Sequence, residues 1–366
     1  MVFLYGIHYY TDPCWVPGTE NRSFVFTSDR ENQSNLFRYD LDTGLLTQIT
    51  DLQGGGRPGG CISAANNALY FSWHGAIYEL NLETLEERVL WEETAKRGEP
   101  SMPIRGRANP TADGKYVCVM LMEDQPEDKP AISFSYSRFR EFFHLKPLSQ
   151  IARIEVATGK MEVIHEDRRY MGHVNTSPAL PDILTYCHEG PWNWIDQRMW
   201  GLNVLTGETW KVRPQEGDYS IGHEYWFADG IHIGYHGRPR DESGRHVFGH
   251  IRWDNEEWVE DHFPFHSTHF HSLDETLIVG DGTPAFVFTS ESEARPYIQL
   301  FKWDGERYVG PKILSYHRST FNNQHAHCHP RFTPDGKAVL YTSDLTAYSN
   351  MYLVEIGDFD ELPDLE

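Results

Sequence analysis

The segment Thr333-Pro334-Asp335-Gly336-Lys337-Ala338-Val339-Leu340-Tyr341-Thr342 contains the local pattern from which the fold of this chain can be read. Proline followed by aspartate and glycine predicts a tight turn, because proline presets its φ angle and glycine tolerates a positive one. The residues after the turn, which include β-branched and aromatic side chains, predict a strand. A similar turn, Asn109-Pro110-Thr111-Ala112-Asp113-Gly114-Lys115, precedes another apolar run, so the pattern is repeated.

The chain contains seven copies of one unit, in which a strand, a polar gap, a second strand and often a Thr-Gly turn with a third strand follow one another. The opening strands are predicted at residues 23–27, 68–72, 116–120, 183–187, 231–235, 276–280 and 338–342. Seven units in 366 residues leave about 50 residues for each, which is typical of propeller blades.

Each small sheet must bury its face against a neighbour, so such units pack in a ring. We therefore predict an all-β fold, a seven-bladed β-propeller that forms a single closed domain over residues 1–366. A pair of β-sandwiches is the rival fold, but it would not explain the recurrent unit. Helical periodicity is confined to residues 134–148, inside an insertion at about 125–148 that we expect to form a lid or a short helix.

Composition excludes two classes of protein. Aromatic residues make up 14% of the chain, which argues against disorder. The formal net charge of −22 argues against non-specific nucleic-acid binding, which needs a basic surface. An anionic ligand would be repelled at long range, so a site for one must be built locally from a metal ion, Arg or Lys.

Cysteine usage and the N-terminal sequence predict the compartment. The five cysteines are scattered, which gives no disulfide framework and favours a reducing environment. Met1-Val2-Phe3-Leu4-Tyr5-Gly6 lacks the basic and long apolar regions of a signal peptide. No segment approaches the ~18 apolar residues that a membrane helix needs. We expect a cytoplasmic protein that is not associated with a membrane.

The densest chemical signal is Gln324-His325-Ala326-His327-Cys328-His329-Pro330-Arg331. In an extended segment side chains alternate between two faces, so His325, His327 and His329 are predicted to share one face, and Cys328 points to the other. Neutral imidazole is the commonest protein ligand for metals. The spacing favours a metal site, and the alternative is a polar loop with buried, hydrogen-bonded histidines.

Similar polar and aromatic runs occur where the fourth, fifth and sixth units begin or where their first predicted strand ends. They are Cys187-His188-Glu189-Gly190-Pro191-Trp192 with Arg198, Gly222-His223-Glu224-Tyr225-Trp226, and His266-Ser267-Thr268-His269-Phe270-His271-Ser272. Comparable positions of successive blades converge on one centre when the blades form a ring. We therefore expect these runs to contribute to one site.

These motifs resemble those of the oligogalacturonate lyase family. The matching segments are Gln324-x-x-His327-x-His329 before Thr333-Pro334-Asp335-Gly336-Lys337, Cys187 to Trp192, Gly222-His223-Glu224-x-Trp226, and Val279-Gly280-Asp281-Gly282. The likeness extends over nearly the whole chain and is strongest from about His173 onward. It implies a seven-bladed β-propeller, β-elimination on short pectin-derived uronic acid chains, and a manganese ion in the channel.

The resemblance also implies roles for individual residues. The implied metal ligands are His269, Gln324, His327 and His329. His223 matches the proton-abstracting histidine of the family, and Arg198 matches its charge-stabilising arginine. Residues 266–272 offer three histidines, so His271 is the alternative to His269 as a ligand.

Substrate contacts are predicted for residues beside these positions, and tryptophan rings would offer flat surfaces to sugars. The candidates are His188, Trp192, Trp226, His271 and Arg331. Packing in the core is the alternative for each tryptophan, and His188 either orients the site or only packs.

The first half of the chain matches the family more loosely, so a different uronate is left open as the substrate that its loops contact. A non-catalytic propeller that serves as a binding scaffold is the other functional class, although a scaffold does not require clustered imidazoles. Endo or exo action, the identity of the divalent ion and the oligomeric state are also open.

The chemistry of a uronate explains why such residues would be needed. Removal of its C5 proton puts a second negative charge beside the carboxylate, so the proton is only weakly acidic. A divalent metal offsets that charge, and neutral His and Gln ligands leave the full charge of the metal available. Neutral His223 can accept a proton near neutral pH, and Arg198 can pair with the carboxylate or the leaving oxygen.

Overall fold

The computed structural model describes residues 5–6, 11–20, 22–93, 101–124, 137–215, 219–241, 245–264, 266–283 and 295–365. The strands in these ranges form seven small antiparallel sheets, and the fold is a seven-bladed β-propeller. Within every sheet, strands that follow one another in the chain are also neighbours in the sheet. The predicted fold class is confirmed.

The first three sheets consist of β1 Tyr5–Gly6, β2 Ser23–Ser28, β3 Asn35–Asp40, β4 Leu46–Gln48; β5 Gly59–Ser63, β6 Ala68–Trp73, β7 Ala76–Asn81, β8 Glu87–Glu92; and β9 Ile104–Pro110, β10 Tyr116–Met122, β11 Leu148–Glu155, β12 Met161–Arg168. The next two consist of β13 Met171–Thr176, β14 Ile183–His188, β15 Met199–Asn203, β16 Thr209–Lys211; and β17 Tyr219–Trp226, β18 His232–Pro239, β19 His246–Arg252, β20 Trp258–Phe263. The last two consist of β21 Phe270–Ser272, β22 Leu277–Gly280, β23 Tyr297–Trp303, β24 Tyr308–Tyr316; and β25 Arg331–Phe332, β26 Ala338–Ser343, β27 Asn350–Glu355.

The turn before β26 has the geometry that its sequence predicts. Gly336 has a φ of 69°, and the Asp335 carboxylate accepts hydrogen bonds from the Thr333 hydroxyl (2.6 Å) and the Lys337 N–H (3.1 Å). The turn before β10 repeats this arrangement around Asp113. Because the motif satisfies its own polar groups locally, it forms the same hairpin in two different sheets.

The chain divides into two compact units. The first consists of Met1–Thr11, Gly18–Gly55 and Ile221–Glu366, and the second consists of Asp12–Pro17 and Gly56–Ser220. Each unit has its own buried apolar clusters: Phe248, Phe263 and Phe270 lie in one such cluster of the first unit, and Val117 and Ile154 in one of the second. That the whole chain is one domain stays a prediction.

Six of the seven sheets have four strands among the described residues, whereas the sequence pattern predicts two or three. The strands that it misses include β13 and β17, which begin their sheets. In each, a histidine has a left-handed backbone, with φ of 50° at His173 and 54° at His223. The register of β13 against β14 shifts between Gly172 and Asn175. A left-handed residue interrupts the alternation of side chains, so the two-residue period is lost.

The one α-helix of the described residues is α1, Ser137–Leu145, which confirms a short helix within the predicted insertion. Residues 125–136 of that insertion lie outside the described ranges. The rings of Phe139 and Phe142 pack against Tyr170 of the second unit, with centroids 6.0 and 5.2 Å away. Among the described residues, no helix has both the length and the apolar character needed to cross a membrane.

Candidate metal centre and active site

Three histidines come together in the first unit. One nitrogen each of His269, His327 and His329 lies within 4.8 Å of the others, and all three side chains are buried. His269 directly precedes β21, whereas His327 and His329 lie between the 3₁₀ turn Gln324–Ala326 and β25. The distance between ring centroids is 4.3 Å for His269 and His329. Residues far apart in sequence thus present imidazoles to one point.

Asp281, directly after β22, holds His269 in place. Its carboxylate accepts hydrogen bonds from the backbone N–H of His269 (2.8 Å) and from Nδ1 of the same residue (2.6 Å). Burial raises the pKa of Asp281 to about 7. A histidine that donates Nδ1–H to a carboxylate keeps the lone pair of Nε2 for a metal ion, which is the usual arrangement around a metal ligand.

His317 supports Asp281 through the backbone oxygen of that residue. Its Nδ1 accepts the N–H of Ser319 (2.9 Å), so its Nε2 donates to the backbone oxygen of Asp281 (2.9 Å). Burial lowers the pKa of His317 to about 4, so the ring is neutral. These two hydrogen bonds of His317 hold the backbone at Asp281 and at Ser319.

Gln324 lies beside this cluster. Its side-chain nitrogen is 3.2 Å from Nε2 of His329. A rotation of the carboxamide by half a turn would place the oxygen there instead. The side chain is thus within reach of the same point as the three imidazoles.

The predicted shared face of His325, His327 and His329 is wrong for His325. Gln324–Ala326 is a 3₁₀ turn rather than an extended segment, and His325 is exposed outside the cluster. His329 has a φ of 43°, which also departs from strand geometry. Cys328 lies in the apolar core, and burial raises its pKa well above the usual value, so its thiol is not a candidate ligand.

The donors of this cluster fit a divalent cation. Nδ1 of His327 is buried and has no hydrogen-bond partner in the described structure. Burial lowers the pKa of His327, which favours the neutral ring that can donate a lone pair. Three neutral imidazoles and a carboxamide suit a borderline divalent ion better than a thiolate site would.

His223 lies against this group of histidines. Its ring centroid is 4.8 Å from that of His269, and its Nδ1 is 3.1 Å from Nε2 of His236 on the neighbouring strand β18. His236 is buried, with its ring edge-on to Phe270. The left-handed φ of His223 is a conformation that a non-glycine residue adopts only when its surroundings hold it there.

Three other predicted residues of the first unit are not members of the three-histidine group. His271 is buried, and its Nδ1 accepts the N–H of Phe332 (3.3 Å), so this ring is occupied by the backbone of β25. Burial lowers the pKa of His271 well below its usual value. Arg331 is buried in β25, and Trp226 ends β17 half-buried. The structure places His269, not His271, with the other two histidines.

Arg198 belongs to a buried ion network of the second unit. The side chain is 1% exposed, and Nη1 and Nη2 donate to the two carboxylate oxygens of Glu189 at 3.0 and 3.5 Å. Nε2 of His173 lies 2.9 Å from Oε1 of the same carboxylate. Burial alone would raise the pKa of Glu189, but Arg198 and His173 hold it far below the usual value. The carboxylate therefore fixes the plane of the guanidinium.

Two predicted substrate contacts lie near this network. His188 is the last residue of β14 and is buried, with no hydrogen-bond partner for Nδ1 in the described structure. Burial lowers the pKa of His188 to about 4. Trp192 is half-buried, and the Arg198 guanidinium carbon lies 5.9 Å from the centroid of its ring.

Comparison with known proteins shows the family of this chain. A family model described as oligogalacturonate lyase matches residues 6–359. The chain belongs to the oligogalacturonate lyase family. It is therefore an enzyme, a polysaccharide lyase, and the family resemblance inferred from the motifs is confirmed.

Curated members of the oligogalacturonate lyase family align over almost the whole chain. An oligogalacturonide lyase of Pectobacterium atrosepticum is 27% identical over 363 residues, which cover 96% of this chain and 90% of that protein. An oligogalacturonate lyase of Dickeya dadantii is 26% identical over 361 residues, again covering 96% of this chain and 90% of that protein.

Two solved structures of oligogalacturonate lyases have the same fold. One, described as in complex with manganese, has a TM-score of 0.82 at 24% identity and covers 97% of this chain and 91% of its own. The other, from Vibrio parahaemolyticus, has a TM-score of 0.83 at 24% identity and covers 97% and 92%.

Sequence reasoning assigns no role to two residues that contact the site histidines, Asp281 and His236. It uses Asp281 only as part of the matching motif Val279-Gly280-Asp281-Gly282 and gives no role to His236. Asp281 is 12 residues from His269, and His236 is 13 residues from His223. Strand pairing creates both contacts. A signal for both residues is available in the sequence. Asp281 directly follows an apolar strand and His236 lies in the middle of another, and a buried polar side chain at such a position needs a hydrogen-bond partner.

Removal of Glu189 tests the ion network of this family member. The Glu189→Ala variant is expected to lose about 3–5 kcal/mol of unfolding free energy, because it leaves a buried guanidinium without its carboxylate. Denaturant unfolding at equal metal loading measures this loss. The control is Asp42→Ala, which removes the exposed ion pair with Arg22 and should cost less than about 1 kcal/mol. Equal losses in the two variants would contradict the buried network.

Proposed function

We propose that this chain cleaves short galacturonate chains by β-elimination, with a divalent ion, manganese in the first instance, bound by His269, Gln324, His327 and His329. Family membership, the names of the two curated relatives and the solved relative in complex with manganese support the proposal. The observation that carries it is the approach of three imidazoles to within 4.8 Å, with His223 against one of them.

The bound ion would neutralise the uronate carboxylate and so lower the cost of the negative charge that develops when the C5 proton leaves. The reaction breaks the C5–H and C4–O4 bonds and forms a double bond between C4 and C5. The C5 proton passes to His223, which then releases it to solvent, and the departing oxygen takes a proton from solvent. Atoms and charge are balanced without an oxidant or reductant.

His223 needs a free lone pair at the nitrogen that faces the substrate. If Nδ1 donates its N–H to Nε2 of His236 (3.1 Å), Nε2 of His223 is unprotonated and can accept the proton. After that transfer Nδ1–H still donates to His236, which stabilises the new charge.

Arg198 is proposed to pair with negative charge of the substrate. The Glu189 carboxylate holds the guanidinium in one orientation through both terminal nitrogens. Each terminal nitrogen carries a second N–H, and a guanidinium held in one orientation loses little conformational entropy when such an N–H donates to a substrate oxygen. The substrate contacts of His188, Trp192, Trp226, His271 and Arg331 are likewise proposals.

A panel of uronate oligomers tests the function. With Mn²⁺ present, oligogalacturonate is expected to yield a product whose new double bond, conjugated to the carboxylate, absorbs in the ultraviolet. Absorbance only with another uronate would reassign the substrate. No absorbance with any uronate, from protein shown to contain metal, would overturn the proposal.

Substitutions of His236 test how His223 is oriented. The His236→Leu variant is expected to lose about 100-fold in kcat with KM unchanged, because Nδ1 of His223 loses its acceptor and the wrong tautomer is populated. His236→Gln, whose amide oxygen can replace Nε2 as acceptor, should recover most of that rate. Steady-state kinetics with measured metal content provides the comparison. Equal losses for Leu and Gln would indicate that His236 only packs.

Two predictions from the sequence are kept as proposals. The first is that residues 1–366 form a single domain. The second is a cytoplasmic location, for which the five cysteines offer support, since all are buried free thiols.

A further inference from the structure

An exposed aromatic and basic surface lies on α1 and the 3₁₀ turn Trp192–Trp194 of the second unit. Trp194 is 40% exposed. Its ring centroid lies 5.4 Å from that of Phe143 and 5.3 Å from that of His144. The guanidinium carbon of Arg140 lies 5.8 Å from the centroid of the same indole. We call Arg140, Phe143, His144 and Trp194 the α1 platform.

Helix packing accounts for only part of this arrangement. Phe143 fixes α1 on the loop, because a Cβ at Gly190 would lie 2.6 Å from Cδ2 of Phe143. Packing does not require the neighbouring indole to be left open to solvent with a cation over it. The part of an indole that stays exposed is a surface on which the apolar side of a sugar ring can stack.

The charges around the α1 platform are unusual for this chain. Arg140 and Lys146 have no carboxylate partner within the part of the chain that the structure describes. Arg169 is 3.9 Å from the exposed Asp196. Among the described residues, the acids beside these cations include Glu141, which is exposed on α1, Glu123, which accepts the N–H of Leu148 and pairs with Arg168, and Glu189, which is paired with Arg198. In a protein of net charge −22, a local group of cations offsets the long-range repulsion of an anionic ligand.

A small cavity of about 20 Å³, with room for about one water molecule, lies between the α1 platform and the ion network. Phe143, Lys146 and Arg169 line it together with His188 and Glu189. His188 is 7% exposed, and its Nδ1 has no hydrogen-bond partner in the described structure. At this volume, the partner expected beside the buried nitrogen is a water molecule. Trp192, two residues before Trp194, lies against the Arg198 guanidinium.

We propose that the α1 platform is a subsite for a further hexuronate unit of the substrate, beyond the two units that flank the cleaved bond. The indole of Trp194 takes the apolar face of the sugar ring, and Arg140 with Lys146 takes its carboxylate. An uncharged sugar would use only the first contact, so the subsite selects acidic oligosaccharides. This inference rests on the proposed function and adds a preference for chain length to it.

Kinetics with digalacturonate, trigalacturonate and tetragalacturonate test the subsite in the manganese-loaded protein. The Trp194→Ala variant is expected to lose about 10-fold in kcat/KM for the trimer and tetramer, mainly through KM, and less than about 2-fold for the dimer. Arg140→Met keeps the apolar stem of the side chain and should give a smaller loss with the same dependence on length. A merely structural role would affect all three substrates alike.

Matched controls separate the subsite from general effects. Trp258→Ala removes a tryptophan that is 48% exposed on β20 and should leave the ratio of trimer to dimer unchanged. Arg307→Met removes an exposed cation elsewhere and should do the same. Equal losses for dimer and trimer in Trp194→Ala, or no loss for either, would overturn the subsite and leave the lyase proposal standing.

Direct binding covers the case in which no uronate is cleaved. Calorimetric titration of the manganese-loaded protein with trigalacturonate is expected to give binding that Trp194→Ala weakens about 10-fold. That result would support the subsite although the lyase proposal had failed. Absence of binding to the wild-type protein would overturn both.

Discussion

The His223→Ala variant is expected to lose about 1,000-fold or more in kcat while it retains its bound metal, because the variant lacks the base but keeps every proposed ligand. The structure supports a loss of activity without a loss of metal. His223 is in contact with His269 through its ring, whereas its Nδ1 is hydrogen-bonded to His236. Initial rates on oligogalacturonate, together with metal content per chain, measure both parts of the expectation.

A control for this substitution is available in the same sheet. His250 lies half-buried in β19, with its ring against Phe227, and has no assigned role. His250→Ala should keep activity within about 3-fold, as a substitution away from the site does. Full activity in His223→Ala would remove His223 from the role of base. Loss of metal in that variant would instead make it a ligand or a support for one.

The second large effect is expected at the metal cluster. The His327→Ala variant should bind Mn²⁺ more than about 100-fold more weakly and lose turnover in proportion, because it removes one of three imidazole ligands. Asp281→Asn should weaken binding by about 10- to 100-fold, since the amide cannot accept both N–H groups of His269 as the carboxylate does. Metal analysis after gel filtration and calorimetric titration with Mn²⁺ give both values.

Excess metal distinguishes these variants from loss of the base. A high Mn²⁺ concentration should restore most of the activity of Asp281→Asn, whose ligands are intact, and none of that of His223→Ala. His325→Ala is the matched control, because this histidine is exposed and lies outside the cluster. If His325→Ala lost metal and His327→Ala kept it, the proposed ligand set would be wrong.

The repeat, the turns and the family could all be predicted from the sequence because each depends on short-range chemistry. Pro-Asp-Gly before an apolar run produces the hairpin at β26 with hydrogen bonds that lie within five residues. Seven such units require neighbouring sheets to bury their faces, which leads to a propeller. The motif Gln324-x-x-His327-x-His329 identifies candidate ligands without any knowledge of their positions.

The conformation of individual residues in the site could not be predicted in this way. Alternation along an extended chain places His325 with His327 and His329, but a 3₁₀ turn points His325 to solvent. The first strand of every sheet escapes detection, since the predicted opening strands correspond to the second strand of each sheet. In two of the missed strands a left-handed residue, His173 or His223, interrupts the alternation of side chains. A periodic pattern assumes regular backbone, and functional residues in this chain lie where the backbone departs from it.

Tertiary packing determines the partners of the site residues. The choice between His269 and His271 depends on Asp281 after β22 and on the N–H of Phe332 in β25, neither of which is near in sequence. His236 faces His223 only because β17 and β18 are adjacent, and Glu189 joins Arg198 to His173 across three strands. Hydrogen bonds between strands depend on register and on which side chains are buried together, and these are properties of the folded chain rather than of any local stretch.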